Sequence, residues 1–485
     1  MRGWRVEPLG ALCDIASGVT KDQKRVQTSM REVPYLRVAN VQRLHLVLDD
    51  VRTIMASERE IETLALQPGD LLLNEGGDRD KLGRGWIWDG QIPLCIHQNH
   101  VFRARIRVEG LIPRWLAYFT NSSFAQTYFF GAGKQTTNLA SISSTRLKGL
   151  PIPVPPLPEQ HRIVAAIETH FSRLDAAVVA LTRAKSNVKR ARASVLKAAV
   201  EGRLVPTEAA LARAEGRAYE TGAALLARIL DERREAWAAS GGRGKYKEPV
   251  GIGGDGEVRE VPEGWVWATV DELAGDGGRG LCDGPFGSNL KSAHYQDEGP
   301  RVVRLQNIGD GVFRDERAHI TQPHFEALRK HEVRSGDLVI ASLGETLPRA
   351  CIIPEWLGEA IVKADCIRFS LANHVLATYL NIVLNSPPVR RRTTDRIHGI
   401  GRPRLGLGGI REISLPLPPL AEQHRIVAEV DRRLSVLDAL DRSLAANLAR
   451  CGRLRQAILK RAFEGRLVGV GASGGGVGLA EEAGT

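Results

Sequence analysis

Apolar residues recur every three or four positions along two long stretches of the chain. This spacing is typical of a helix that buries one seam in a coiled coil. A helix of about 40 residues at 1.5 Å per residue is a rod of about 60 Å. The first seam consists of Ile163, Ile167, Phe171, Leu174, Val178, Leu181, Val188 and Val195, and the second of Ile426, Val430, Leu434, Leu437, Leu444, Leu448, Cys451 and Ile458.

Local signals mark where the first of these helices begins and ends. A proline-rich segment, residues 151–158, leads into Glu159, and neither proline nor glycine occurs from there to Ala199. A carboxylate in the first turn suits the exposed N–H groups and the helix dipole, and glycine favours helix termination. We therefore expect a helix from about Glu159 that ends before Gly202.

A mixed segment of about 150 residues precedes each helix and is rich in short apolar alternations with Gly or Asp turns. Alternation of this kind predicts strands, so each segment is expected to be a compact α+β domain. The residues between the two copies predict a helical stretch, Thr207 to Ala239, followed by a flexible Gly-rich segment.

The chain repeats itself with an offset of 263 residues. Glu159–Ala165 (EQHRIVA) returns as Glu422–Ala428, and Glu201–Val205 (EGRLV) returns as Glu464–Val468. A period of about half the chain indicates a tandem duplication. The segments before the helices match only at scattered motifs, among them LRVANV at residues 36–41 and VRLQNI at 303–308. The pattern indicates one duplicated scaffold that carries two diverged domains.

These features predict six segments. They are a first domain at 1–157, a spacer helix at 158–203, a helical insert and linker at 204–262, a second domain at 263–420, a second spacer helix at 421–468 and a disordered tail at 469–485.

Composition narrows the class of partner. Lys and Arg number 67 against 56 Asp and Glu, and the sequence pI is near 9.5, so a polyanion such as nucleic acid is a plausible partner. The six cysteines form no close pair, which argues against disulfides and thiolate zinc sites and fits a reducing cytoplasm. Without an apolar run of about 18 residues, neither secretion nor membrane insertion is expected.

The PLPEQHRIV entry at residues 156–164, its echo PLAEQHRIV at 419–427 and the EGRLV sequence at the end of each helix resemble the specificity subunit of type I restriction-modification systems. Further resemblance lies in DGPFGS at 283–288, and in GKQTTNL at 133–139 and GRPRL at 401–405, which look like the family's Gly-rich loop before each helix.

The resemblance implies an α+β fold with two target-recognition domains, separated by two long antiparallel coiled-coil helices in a pseudo-twofold internal repeat. It implies a chain without catalysis that binds a bipartite, asymmetric double-stranded DNA site. Two methyltransferase (M) subunits and restriction (R) subunits would dock on it. S-adenosylmethionine, ATP and Mg would then be bound by those partners, and no cofactor by this chain.

Catalytic and metal motifs have weak candidates. Asn385-Ser386-Pro387-Pro388 approaches a methyltransferase motif, but a turn after a helix is the better interpretation, and a Walker loop is absent. His97 and His100 beside Cys95 are interpreted as ordinary sheet residues. His161 and His424 fit helix packing or subunit docking better than acid–base chemistry. We predict no catalytic or metal site.

Candidate DNA-binding residues follow from charge and from loop position. Predicted phosphate contacts are Arg103, Arg105, Lys134 and Lys148 in the first domain and Arg390, Arg391, Arg392 and Arg396 in the second. Predicted base contacts are Lys134, Gln135 and Asn138 in the first domain and Arg402 and Arg404 in the second, because Arg and Lys suit guanine whereas Asn and Gln suit adenine.

Three other functions stay open at this level. The chain could be the specificity subunit of a related type II system whose partner fuses methyltransferase and nuclease. A self-contained nuclease or methyltransferase would act on DNA alone, and a coiled-coil scaffold without DNA contact would show no salt-sensitive DNA binding.

Overall fold

The chain forms two compact units, each built from one globular part and portions of both long helices. The computed structural model describes residues 3–20, 30–77, 81–132, 134–135, 140–241, 245–252, 260–275, 280–399 and 401–468. Unit 1 comprises Met1–Arg183 and Leu444–Thr485, and unit 2 comprises Ala184–Ser443. We call residues 3–156 head 1 and residues 260–419 head 2. The disorder expected for residues 469–485 lies outside the described residues.

Fourteen strands and the helices between them are described before the end of the first long helix. The strands are β1 (Arg5–Pro8), β2 (Cys13–Ser17), β3 (Met30–Leu36), β4 (Val41–Gln42), β5 (His45–Leu46), β6 (Arg52–Ser57), β7 (Leu71–Asn74), β8 (Gly76–Gly77), β9 (Gly85–Ile87), β10 (Ile96–His97), β11 (Val101–Ile106), β12 (Lys134–Gln135), β13 (Ala140–Ser141) and β14 (Pro151–Val154). The helices are α1 (Leu9–Leu12), α2 (Glu58–Leu64), α3 (Pro113–Thr120), α4 (Ser123–Ala132), α5 (Ser144–Lys148) and α6 (Leu157–Val200).

The remaining elements begin with two helices from the insert. The helices are α7 (Glu208–Glu215), α8 (Gly222–Ala239), α9 (Gln322–Ala327), α10 (Ala377–Leu384), α11 (Pro387–Arg392), α12 (Leu407–Arg411) and α13 (Leu420–Phe463). The strands are β15 (Val266–Thr269), β16 (Leu281–Asp283), β17 (Gln296–Val303), β18 (Glu332–Val333), β19 (Leu338–Ala341), β20 (Arg349–Ile352), β21 (Ala360–Val362), β22 (Cys366–Phe369) and β23 (Ser414–Leu417).

The same sheet topology occurs in both heads. Each has a four-stranded antiparallel sheet, ordered β2-β11-β7-β9 in head 1 and β16-β22-β19-β20 in head 2. Each head also pairs its first strand with its last, β1 with β14 and β15 with β23. The predicted internal repeat is therefore present in the fold as well as in the sequence.

The smaller three-stranded sheet has strands of different extent in the two heads. Its order is β10-β3-β6 in head 1, with β3 in the centre, and β17-β21-β18 in head 2, with β21 in the centre. The β3–β6 ribbon has six residue pairs, from Met30 with Ser57 to Tyr35 with Arg52. Residues 318–320 nevertheless pair with β17 as β6 pairs with β3, and the Leu66 N–H donates to the Cys95 carbonyl where β18 pairs with β21, so the heads differ in the extent of each pairing and share the pairing scheme.

The two long helices confirm the predicted rods. Helix α6 starts two residues before Glu159 and is followed by Gly202 at φ +65°. Every predicted seam residue is buried or half-buried. In unit 1, Ile163 and Phe171 share a core with Phe463 and Leu459 near the end of α13. In unit 2, the end of α6 shares a core with Ile426 near the start of α13, so the helix segments are antiparallel within each unit.

The insert folds as part of unit 2. The predicted helical stretch is two helices, since Gly216 at φ +67° ends α7 and Thr221 caps α8. Leu225 and Ile229 of α8 are 0% and 1% exposed and belong to the core of head 2. Arg233 of α8 donates to the carbonyl of Asp271, where both residues are buried. These helices therefore add buried apolar surface to unit 2.

Among the residues that the structure describes, no helix combines the length and the apolar character needed to cross a membrane.

Candidate nucleic-acid interface

The glutamine of the repeated EQHRI sequence fastens each head to its long helix. In unit 1 the Gln160 side chain accepts from the Ile112 N–H at 3.0 Å and donates to the carbonyl of Gly110 at 2.7 Å. In unit 2 the Gln423 side chain accepts from the Leu376 N–H at 3.1 Å and donates to the carbonyl of Pro418 at 3.0 Å. Both glutamines are fully buried, so the motif has a structural role in joining each head to its long helix.

Other residues that the two copies share also have structural roles. Asn40 and Asn307 each accept from the N–H three residues earlier, at 2.9 and 2.8 Å. Asp70 and Asp337 cap turns in the same way, at 2.7 and 2.8 Å. Residues shared by the two copies therefore fix turns and helix contacts, which leaves the differing loops as candidates for recognition.

Four loops of head 2 meet at one end of its four-stranded sheet. They are residues 284–288 after β16, 342–344 after β19, 363–365 before β22, and residues 398–399 with 401–404 before α12, where His398 pairs with Arg404. Backbone hydrogen bonds connect them, from Ser342 N to Asp365 O at 2.9 Å and from Leu405 N to Ser342 O at 2.8 Å. We call this set of loops the head 2 loop cluster.

Arg404 joins three of these loops. Its guanidinium lies 2.6 Å from an Asp365 carboxylate oxygen and 5.8 Å from the ring centre of Phe286. Phe286 is 47% exposed, so its ring is accessible from solvent. Asp365 has φ +68°, a conformation that non-glycine residues adopt at a cost and that is common at functional sites.

Close backbone packing holds the Phe286 loop in place. A Cβ on Gly284 would lie 2.1 Å from the carbonyl carbon of Lys363, so only glycine fits there. The Lys363 ammonium donates to the Tyr295 hydroxyl at 2.9 Å and lies 5.3 Å from that ring, while the Arg304 guanidinium lies 5.8 Å from it. Two cations, Lys363 and Arg304, therefore lie close to the Tyr295 ring in this part of head 2.

Helix α11 and the turn that follows it carry Arg390, Arg391, Arg392 and Arg396, the predicted phosphate contacts of head 2. Arg391 is exposed, and Arg392 lies over the Trp267 ring at 4.7 Å. Arg396 is paired with Glu412 at 2.7 Å. Arg390 instead pairs with Asp310 at 2.8 Å and donates to the carbonyl of Pro348 at 3.0 Å, with a side chain only 21% exposed.

Arg391, Arg392 and Arg396 border a cavity of about 630 Å³. Its walls are Lys197, Glu201, Ile252, Trp267, Pro388, Arg391, Arg392, Thr393, Asp395, Arg396, Glu412, Ile413 and Ser414. Four cationic side chains face three acidic ones there, so the cavity has only a slight positive excess.

In head 1 the predicted residues fall in different places. Lys134 and Gln135 form β12, the outer strand of a sheet ordered β12-β13-β8. This sheet continues directly from Glu75 and β7, so both residues lie at the end of the main sheet that corresponds to the head 2 loop cluster. Asn138 lies outside the described residues.

Lys148 is separate from that group. It is exposed at the end of α5, and its stem packs against Gly10, just before the start of β2. The candidate recognition loops lie at the other end of β2, which ends at Ser17, and the Ser17 hydroxyl donates to the Asn99 carbonyl at 2.8 Å. The structure therefore does not bring Lys148 together with Lys134.

The predicted phosphate contacts of Arg103 and Arg105 do not fit their positions. Arg103 is 3% exposed and donates to the Thr63 carbonyl at 2.8 Å, so the prediction for Arg103 is wrong. Arg105 donates twice to the Asp70 carboxylate, each time at 2.7 Å, and that interaction raises the pKa of Arg105. Asp14 balances the buried Arg103 and Asp70 balances the half-buried Arg105, so both cations have carboxylate partners within head 1.

The histidines singled out in the sequence differ in burial. His97 lies in β10, donates to the Val101 carbonyl at 2.7 Å and is 0% exposed, as expected of a sheet residue. Burial lowers the pKa of His97 to about 4. His161 and His424 are exposed, so they do not pack in the helix interface, and docking remains the prediction for them.

Asn385 and Ser386 form the turn expected after a helix. Asn385 follows α10, accepts from the Ala350 N–H at 3.1 Å and donates to the Ala350 carbonyl at 3.0 Å. The counterpart Asn121 donates to the Gly85 carbonyl at 2.9 Å. Both asparagines therefore have structural hydrogen bonds.

Buried thiols occur in both heads. Desolvation raises the pKa of Cys13, Cys95 and Cys351 to about 12, so these thiols stay protonated and fill the core.

The head 2 loop cluster has the chemistry of a nucleic-acid surface. Arg404 and Arg402 present guanidinium groups that suit guanine, and Phe286 offers an apolar face that suits a thymine methyl group. Sequence patterns did not single out Phe286 for contact or pair Lys363 with Tyr295. The latter two lie in separate loops, so only the fold places them together.

Comparisons with known proteins point to one family. A family model described as the type I restriction modification DNA specificity domain matches residues 1–178. The specificity subunit of the type I restriction enzyme EcoBI of Escherichia coli is 22% identical over 96% of this chain and 86% of its own length. The StySPI specificity subunit of Salmonella potsdam is 27% identical over 96% of this chain and 89% of its own length.

Solved structures share the fold. A chain from a structure of complex assembly and conformational transition in a type I R-M system has a TM-score of 0.65 at 19% identity, covering 96% of this chain and 99% of its own. The HsdS subunit from Thermoanaerobacter tengcongensis has a TM-score of 0.50 at 18% identity, covering 96% and 98%. The duplicated scaffold, the family match over residues 1–178 and these relatives agree, and over nearly its whole length the chain is similar to the specificity subunits of type I restriction-modification systems.

Proposed function

We propose that this chain reads a bipartite, asymmetric double-stranded DNA site in the cytoplasm, one half-site with each head. Two methyltransferase subunits and restriction subunits dock on it, and S-adenosylmethionine, ATP and Mg are bound by those partners. The observation that carries the proposal is the head 2 loop cluster, where Arg404, Asp365 and Phe286 present a guanidinium beside an exposed ring.

Two heads that share a scaffold but differ in their loops favour recognition of two different half-sites. The residues shared by the heads fix turns and helix contacts, whereas the loops at the end of each main sheet differ. Directly before β11 head 1 has His100, paired with Glu75 at 2.6 Å, whereas directly before β22 head 2 has Asp365, paired with Arg404. Different side chains at matching positions suit different base sequences.

Base and phosphate contacts are assigned by position. Base readers are Arg402 and Arg404 in head 2 and Lys134, Gln135 and Asn138 in head 1. Phosphate contacts are Arg391, Arg392 and Arg396 in head 2 and Lys148 in head 1. Arg390 stays a predicted contact, although its pairing with Asp310 gives it a role in positioning α11.

The test is a single-molecule map of N6-methyladenine in the host genome with and without the gene for this chain. We expect deletion to remove one split, asymmetric motif and to leave all other methylated motifs in place. An unchanged map, together with no salt-sensitive DNA binding by the purified assembly, contradicts the proposal. An unchanged map with intact binding contradicts only the methyltransferase partnership.

A further inference from the structure

The first turn of each long helix receives a hydrogen bond from a tryptophan of its head. In unit 1 the Trp4 indole donates to Glu159 at 3.2 Å, and in unit 2 the Trp265 indole donates to Glu422 at 2.9 Å. Each glutamate is followed three residues later by an arginine, Arg162 or Arg425. The two copies therefore carry the same tryptophan, glutamate and arginine node.

In unit 2 the insert covers this node. The Glu208 N–H at the start of α7 donates to Glu422 at 2.8 Å, and the Glu208 carboxylate lies 2.6 Å from both Arg425 and Arg217. Glu422 is 0% exposed and Glu208 is 3% exposed. Burial raises the pKa of Glu422, whereas for Glu208 the hydrogen bonds from the arginines outweigh burial and lower the pKa.

Helix α7 fits this position for simple reasons. Thr207 caps the helix by accepting from the Ala210 N–H at 3.2 Å, which leaves the Glu208 N–H for the Glu422 carboxylate. Ala209 and Ala212 are 3% and 2% exposed, so small residues allow close approach. A carboxylate at the helix N-terminus is stabilised by the exposed N–H groups and the dipole.

In unit 1 the described residues leave the same node open. The Glu159 side chain is 31% exposed and the Arg162 side chain 44%, and they lie 4.0 Å apart. Leu157 is 41% exposed, whereas its counterpart Leu420 is half-buried against the core of head 2. Pro156 is exposed, whereas its counterpart Pro419 is buried.

We propose that Trp4, Leu157, Glu159 and Arg162 form a docking surface for the first turn of a helix from one methyltransferase subunit. The inference rests on the proposed function, because it names the surface of unit 1 that this partner uses. The occupant has the chemistry of α7: a Ser or Thr cap, a glutamate directly after it, and small apolar residues behind. Its glutamate pairs with Arg162 and its first N–H groups bind Glu159.

Charge and polarity favour a protein helix over DNA at this surface. The Glu159 carboxylate repels phosphate, whereas it accepts from backbone N–H groups at a helix start. Leu157 adds an apolar contact that a phosphate backbone does not use. Because α7 already occupies the equivalent node in unit 2, only one of the two docked methyltransferases uses this contact.

The experiment titrates the full chain with its methyltransferase partner and measures affinity and stoichiometry by native mass spectrometry. We expect Arg162→Glu to weaken one of two binding events by at least about tenfold, whereas Arg162→Lys retains it. Arg173→Glu, an exposed arginine on the same helix, is the matched control and is expected to bind as the original chain. Thermal melting and DNA binding should be equal in all variants.

The outcomes separate the two proposals. If the original chain binds no methyltransferase, the proposed function fails at its partner. If it binds two and Arg162→Glu binds both with unchanged affinity, the docking surface is wrong while the proposed function stands. If Arg162→Glu instead abolishes self-association of the chain alone, a second copy is the occupant and the proposal for a methyltransferase helix is overturned.

Discussion

Arg192 of α6 forms an ion pair with Asp438 of α13 in unit 2. In unit 1 Arg455 of α13 forms the equivalent ion pair with Asp175 of α6, at the same offset of 263 residues. Arg192 and Arg455 occupy matching positions where an arginine interrupts the apolar spacing of each seam, between Val188 and Val195 and between Cys451 and Ile458. These arginines therefore stabilise the contact between the two helices. Because the helices are antiparallel and have duplicated sequences, the arginine comes from α6 in unit 2 and from α13 in unit 1.

Reversing the charge of one residue in such an ion pair should lower the free energy of unfolding only slightly. Reversing the charge of its partner as well should restore it. The Arg192 and Asp438 side chains are 38% and 54% exposed, and exposed pairs contribute about 0.2–1 kcal/mol. We expect Asp438→Arg to lower the free energy of unfolding by about 1 kcal/mol in urea titrations. Arg192→Asp combined with Asp438→Arg should restore it. Asp431→Arg, at an exposed position of the same helix, is the control; an equal loss there would contradict a specific pair.

Lengthening both long helices should widen the gap between half-sites. Seven residues inserted near Arg183 and seven near Ser443 preserve the seam and add about 10 Å at 1.5 Å per residue. One base pair rises about 3.4 Å, so the methylated motif should gain about three base pairs in its gap. Insertion into one helix alone breaks the seam and serves as a control. A methylation map with an unchanged gap would falsify the spacer role.

Arg404→Ala should change which sequence is read. Its guanidinium is held at the Phe286 ring by Asp365, an arrangement suited to one guanine. We expect a loss of about 1–3 kcal/mol of discrimination at one base pair, measured by competition among duplexes that vary each position. Arg391→Ala is the matched control, since a phosphate contact should weaken all duplexes alike and reduce the salt slope by about one. Retention of the full sequence preference by Arg404→Ala removes it as a base reader.

Phe286→Ala should remove sensitivity to one thymine methyl group. The exposed ring has an apolar face that suits such a contact. The original chain should bind less tightly when uracil replaces thymine at one position of the half-site read by head 2, and the variant should not distinguish them. Val312→Ala, which alters another exposed apolar side chain of head 2, should leave that sensitivity intact. A chain indifferent to uracil at every position rules the contact out.

Acid should destabilise the fold through His97. Burial, as the main cause, lowers the pKa of His97 from 6.5 to about 4. Between these values the unfolded chain binds a proton that the folded chain does not, so stability falls as pH drops through this window, by on the order of 3 kcal/mol. His97→Asn keeps an N–H donor for Val101 and should flatten this dependence in urea titrations from pH 7 to pH 4. His161→Asn, at an exposed position, should leave the slope unchanged, and an unaltered slope in His97→Asn contradicts the prediction.

Local sequence determined the repeat, the two long helices and the α+β character of the heads. The 3.6-residue periodicity of α6 and the glycine after it are properties of neighbouring residues, so they are readable before folding. The similarity to type I specificity subunits was visible in the same repeated motifs, and the family match and the relatives agree with it.

Only the tertiary structure decided which charged residues are available. Arg103 and Arg404 were both predicted to contact DNA, yet Arg103 is buried in β11 beside Thr63 and Arg404 is exposed beside Phe286. Burial depends on what packs against a residue from distant parts of the chain, and local patterns carry no record of it. For the same reason the sequence predicted a helical insert but not that α7 would cover Glu422 in unit 2.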